Sequence, residues 1–259
     1  MRRFLLVLLS AVLIALPLTA VASSNGVCGP ALKWTLDDDG LLTISGKGKM
    51  NNGAFQLRHD IRNVVIGEGV TTIGDYAFQY CSNIESVVLP ETLEAIGSEA
   101  FSECGALTGI DIPSRVTWIG EKAFWKCGLL ESVIIPEGVT QIWDQTFYNC
   151  ISLIYVSIPE GVESIGIQAF GNCGFLPEVF LPASLKSIGM SAFSDCAFLE
   201  TVVIPNSATT IDYFVFDGCV SNPVIYCPAG SRAEDYARQN GIRTAPLNQA
   251  PARSLPPSP

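Results

Sequence analysis

Ile96-Gly97-Ser98-Glu99-Ala100-Phe101-Ser102-Glu103-Cys104 decides the fold, because the chain keeps returning to it. Phe78, Phe101, Phe124, Phe147, Phe170, Phe193 and Phe216 recur at a constant step of 23 residues. Each has an isoleucine five positions before it (Ile73, Ile96, Ile119, Ile142, Ile165, Ile188, Ile211) and a cysteine three positions after it (Cys81, Cys104, Cys127, Cys150, Cys173, Cys196, Cys219). A fixed period of this size marks a solenoid, in which each unit buries its apolar side only against its neighbours.

Working outward from that stretch, one unit reads Cys81-x-x-Ile84-x-x-Val87-x-Leu89-Pro90-x-x-Leu93-x-x-Ile96-Gly97-x-x-Ala100-Phe101. Residues 87–89, 110–112, 133–135, 156–158, 179–181 and 202–204 are short, mostly β-branched runs, each closed by a proline. Proline has no N–H for a ladder and ends a strand. Each coil therefore predicts one short strand, parallel to the next and about 4.8 Å from it. Val87 and Leu89 point inward and Val88 outward. Gly74, Gly97, Gly120, Gly166 and Gly189 mark the return bend, where a side chain would hinder the turn. The phenylalanines stack as an interior spine.

The repeat string, as in Ile110-Asp111-Ile112-Pro113 through Ile119-Gly120 to Ala123-Phe124-Trp125-Lys126-Cys127, resembles the leucine-rich repeats of the BspA type. Cys28-Gly29 with Trp34-Thr35-Leu36-Asp37-Asp38-Asp39-Gly40-Leu41 similarly resembles the N-terminal segment of such proteins. The resemblance covers nearly all of the chain after its leader and implies a leucine-rich-repeat solenoid. It also implies a secreted or surface-attached protein, largely bacterial, acting in adhesion to host proteins or other cells. It carries no catalytic residues or cofactor.

Met1-Arg2-Arg3, the apolar run 4–16 and Ala20-Val21-Ala22 have the layout of a secretory signal cut before Ser23. Pro17 and the A-x-A site favour cleavage over a membrane anchor. The expected division is then a signal peptide at 1–22, a β-hairpin cap with its connector at 23–61 and seven repeats at 62–222. A strand and helix cap follow at 223–243, and a disordered Pro-rich tail at 244–259. The hairpin is the alternating pair 32–36 and 41–45 around Asp37-Asp38-Asp39-Gly40. Those aspartates fail as a calcium loop, which needs Gly at position 6 and Glu at position 12, here Leu42 and Gly48. Ser231 and Glu234 form a capping box for the helix, and Gly241 stops it.

Losing the leader removes Arg2 and Arg3 and takes the net charge from −10 to −12. Such an acidic chain, without a basic stripe, disfavours nucleic acid, and after cleavage nothing inserts into a membrane. The nine cysteines lack the C-x-x-C spacing of a metal cage. They are read as buried free thiols in the ladder, with disulfides at Cys28 or Cys227 left open. A single histidine, His59, leaves little for a Ser-His or Cys-His mechanism.

Three surface features are candidates for function. Glu68, Glu91, Glu137 and Glu160 share one register, as a solvated rim or a site for a cation or basic partner. The outward strand row includes Asp111, Ile134, Tyr155 (one position aside), Phe180 and Val203, a strip that is either sheet filler or a contact surface. Trp118, Trp125, Trp143 and Tyr148 depart from the repeat in two adjacent coils, as a recognition patch or as repacking around Trp143, which replaces the bend glycine. The reading is a secreted, non-enzymatic adhesion module for a protein or carbohydrate of another cell or host matrix. A secreted hydrolase or enzyme-inhibitor module on the same solenoid is the alternative.

Overall fold

The computed structural model describes residues 24–205 and 210–254; the expected leader and residues 255–259 lie outside them. The chain winds into a β-solenoid of about nine turns of roughly 23 residues. Phe78, Phe101, Phe124, Phe147, Phe170 and Phe193 are fully buried. Their rings stack in sequence at 5.2–5.6 Å between centroids. Burying each ring stabilises by roughly 1.5–3 kcal/mol.

Each regular coil holds two short parallel strands where the sequence predicts one. The first ladder includes Asn63–Ile66, Ser86–Val88, Ser132–Ile134, Tyr155–Ser157, Glu178–Phe180, Thr201–Val203 and Val224–Cys227. The second is built from the short run before the bend, such as Ala95–Ile96 and Ser164–Ile165. Between them the chain turns by alternating its hydrogen bonds. Phe101 N–H donates to the Ala123 carbonyl of the next coil (2.8 Å), and Ser102 N–H donates back to Glu99 (3.2 Å). The alternation sets two left-handed residues in each coil, such as Glu99 (φ 53°) and Glu103 (φ 61°).

The bend glycines have a different cause from the one expected. Gly97 and Gly120 do not need positive φ, but a Cβ at Gly120 would lie 2.5 Å from Ser98 N and one at Gly97 would lie 2.6 Å from Asp75 N. Glycine is required because the preceding coil's backbone is in contact there. The ladder cysteines answer a second stacking need. Each Sγ donates to the phenylalanine carbonyl of the preceding coil at 3.0–3.3 Å. All nine thiols are free.

The stretch read as a connector is a coil. Ala54-Phe55 stands 23 residues before Ala77-Phe78, and Phe55 stacks on Phe78 at 5.3 Å. Arg58 replaces the cysteine, pairs with Asp60 at 2.7 Å and lies over Trp34. Trp34 closes the spine edge-on against Phe55 at 5.7 Å. The N-terminal cap has three strands, Ser24–Gly29, Leu32–Leu36 and Leu41–Gly46, rather than a bare hairpin. The last of them pairs parallel with Asn63–Ile66 and so begins the solenoid ladder. Asp37 Oδ1 accepts from Asp39 and Leu41 N–H, which accounts for the acidic turn.

At the other end, helix Arg232–Gln239 brings Tyr236 edge-on to Phe216 at 6.1 Å. Ser231 caps it, and Glu234 accepts from Gly230 N–H. Within the segment expected to be disordered, residues 244–254 are described. Arg243–Pro246 adds a parallel strand to Val224–Cys227, Leu247–Gln249 makes a 3₁₀ turn, and the chain then runs back over the strand face. The sheet edge is thus covered by this strand, while the helix closes the end of the core.

Candidate binding surface

The outward strand row follows from the two-residue period of a strand closed by proline. Val88 and Ile134 are 54% and 55% exposed, and Asp111 is also exposed. Tyr155 and Phe180 are half-buried. Val203 departs from the expectation: it is only 8% exposed, flanked in register by the rings of Phe180 and Tyr226. It belongs to the packed end of the row and presents no contact surface.

The strand ladder is interrupted twice, and both seams have local causes. Residues 110–112 form no regular strand, and Gly109 keeps only an isolated bridge to Ser132. Glycine at a strand's start offers no side chain to pack and weakens the pairing. Beside this seam lies a shallow cleft of about 420 Å³ lined by Val88, Glu91, Asp111 and Ser114, among others. The second seam separates Tyr155–Ser157 from Glu178–Phe180, which belong to different ladders. Glu131 N–H donates to Thr108, Ile154 to Glu131 and Glu200 to Pro177. The residue in that register at the seam is Pro177, which has no hydrogen to donate to Ile154.

Repeat by repeat, residues 48–174 and 140–237 match the BspA type leucine rich repeat region, in six copies. The chain belongs to that family. This BspA-type chain is also similar to solved structures. A leucine-rich repeat protein of T. pallidum is 22% identical with a TM-score of 0.50, the match covering 82% of this chain and 94% of that one. One from Bacteroides ovatus ATCC 8483 is 22% identical with a TM-score of 0.49, covering 76% and 70%. These likenesses concern the fold. No curated protein matches the sequence.

The four aromatic departures fall into one ring pair and two side chains with other partners. Trp118 is 44% exposed and packs on Trp143 with centroids 4.7 Å apart. Trp143 stands in the register held by glycine in five other coils, and the second ladder is broken there, between Trp118–Ile119 and Gln141–Ile142, whereas Asp212 stands in the same register beside an intact ladder. Trp125 and Tyr148 share one register on adjacent coils; Lys126 Nζ sits 3.9 Å from the Trp125 ring centroid, and Tyr148 packs close over Gly171.

Other sequence candidates have structural partners. Glu68 accepts from Glu91 N–H and Glu160 from Ala183 N–H, so these two glutamates tie successive coils. His59 Nδ1 lies 3.1 Å from Ser82 Oγ on an exposed turn, one of many side-chain pairs 23 residues apart. Burial pushes every cysteine thiol up, Cys81 to about 11 and Cys150 to about 12. Among the described residues, no three His, Cys, Asp or Glu side chains group as a metal site, and no helix is long and apolar enough to cross a membrane.

The sequence reading missed a second apolar strip: Leu129, Phe175, Phe198 and Val220 are exposed just after the ladder cysteines, with Phe175 and Phe198 stacked at 5.2 Å. Three of the four share the second position after a ladder cysteine, and that shared register was the available signal.

Proposed function

We propose that this chain is an exported, non-enzymatic binding protein that takes up a segment of a partner protein on its strand face. Membership of the BspA-type repeat family supports a binding role, and the signal-like N-terminus supports export. The observation that carries the choice of face is the Pro177 seam. There the Tyr155–Ser157 strand has no ladder partner on its Glu178–Phe180 side, beside two half-buried rings, Tyr155 and Phe180. A break in the ladder with flanking aromatic anchors suits recognition of an extended peptide on this face.

The reading is tested by binding of the leaderless chain to host-protein and glycan arrays. A Tyr155→Ala/Phe180→Ala chain should lose the protein signals by at least about tenfold, as expected of paired aromatic anchors. A Trp118→Ala chain should keep them. Retention of all signals by the first chain would refute the assignment of the face. Loss of glycan signals in the Trp118→Ala chain alone would favour a carbohydrate ligand at the exposed indole.

A further inference from the structure

The chain's own C-terminal segment lies in the Pro177 seam. The Tyr155–Ser157 strand is parallel to Ser132–Ile134, and Ile135 N–H donates to the Ser157 carbonyl (3.0 Å). Carbonyls alternate along a strand, so that of Val156 points the other way, toward Glu178–Phe180, where no ladder receives it. Arg253 Nη2 donates to this carbonyl at 3.3 Å, and its guanidinium lies 5.8 Å from the Phe180 ring centroid. Ser254 then donates from its N–H (2.8 Å) and its hydroxyl (2.5 Å) to the same oxygen, Glu178 Oε1. Three kinds of group thus converge on Arg253 and Ser254: a carbonyl outside the ladder, an aromatic face and a carboxylate.

We infer that the seam at Val156, Glu178 and Phe180 is a recognition site for an extended protein segment bearing arginine followed by a hydroxyl residue. The C-terminal segment fills this site in cis until such a partner displaces it. The inference rests on the strand-face reading and adds the ligand's chemistry. Arginine suits the site better than lysine. Its planar fork reaches a carbonyl while lying over a ring, which a compact ammonium does less well. Glu178 is the only residue of its row with a carboxylate at this register; the others are Asn63, Ser86, Gly109, Ser132, Tyr155 and Thr201. The acidic charge of the whole chain, −10, favours the encounter with a basic segment.

The test uses the full chain with its tail disarmed by point substitution. The probe is a fluorescein-labelled peptide of the tail's own sequence, APARSLPPSP, followed by anisotropy. The Arg253→Ala/Ser254→Ala chain should bind the probe about tenfold more tightly than the unaltered chain, as follows if the tail occupies its site about 90% of the time. Adding Glu178→Gln should weaken that binding by about tenfold, the scale of a lost charge-assisted hydrogen bond. A probe with alanine for arginine should not bind. In the unaltered chain, trypsin should cut after Arg253 several-fold more slowly than in the Glu178→Gln chain.

Equal affinity of the unaltered and disarmed chains, indifference to Glu178→Gln, or no binding by either chain would overturn the inference. Circular dichroism and melting of each variant exclude misfolding as the cause. The two readings fail separately. Loss of partner binding in Tyr155→Ala/Phe180→Ala with no peptide binding here would leave the strand-face function standing and remove only the arginine site.

Discussion

Raising the pH above 9 should unfold this protein steeply, because its core thiols cannot ionise where they sit. Six ladder cysteines, Cys81, Cys104, Cys127, Cys150, Cys173 and Cys196, are fully buried. Burial holds Cys81 at about 11 and Cys150 at about 12, and pushes the other four well above the ordinary 9.0. In the unfolded chain all six titrate near that ordinary value. The folded state therefore keeps protons that the unfolded state releases. The stability this represents is intact below pH 9 and is lost as the pH rises toward the folded-state values.

At about pH 10 each thiol shifts the balance toward unfolding by about 1.4 kcal/mol, and six together by about 8 kcal/mol. That matches the whole stability of an ordinary domain, about 5–15 kcal/mol. Urea midpoints followed by circular dichroism under reductant should hold steady up to about pH 8.5 and fall sharply by pH 10. A Cys127→Ala/Cys150→Ala chain should show a slope lower by about a third. A flat midpoint through pH 10, or an unchanged slope in that variant, would refute the reasoning.

Further expectations come from the stacking geometry. Gly120→Ala places a Cβ 2.5 Å from Ser98 N and strains the bond from Gly120 N–H to Ile96; it should destabilise by about 1–3 kcal/mol. Gly105→Ala has nothing within 4 Å and should be neutral or stabilising by about 0.4–1 kcal/mol, so equal urea midpoints for the two variants would contradict the contact argument. Phe124→Ala, in mid-spine between rings at 5.6 and 5.4 Å, should lower stability by about 3–5 kcal/mol. Phe124→Leu should lose less, and a midpoint for Phe124→Ala within about 1 kcal/mol of the unaltered chain would count against a close-packed spine.

The sequence showed the spine, the inward Val87 and Leu89, the capping helix and the free thiols, because each rests on a strict local spacing. The first coil escaped notice although Ala54-Phe55 keeps the step, since Met50, Asn51 and Arg58 stand where isoleucine, glycine and cysteine are usual. The second ladder was hidden in two-residue runs too short to read as strands. The bend glycines were visible, but their reason was not: contact between coils is a property of the stack, not of the turn. Trp143 was legible as a broken glycine position, and the structure adds that the second ladder parts there. The site itself was half legible. Tyr155 and Phe180 stood out by register, whereas Pro177 went unread because its effect is on the pairing between coils. That Arg253, 97 residues beyond Val156, would reach this seam has no periodic signal at all.

The central claim is that the protein is a stack of interchangeable 23-residue coils, and removing one coil tests it most directly. Deleting residues 78–100 joins Ala77 to Phe101 and keeps every register; the shortened chain should retain its β-type circular dichroism and unfold with a urea dependence smaller by roughly a ninth. Deleting residues 78–89, a shorter cut out of register, should leave it unfolded. If the two deletions behaved alike, the stacked-coil account would be contradicted.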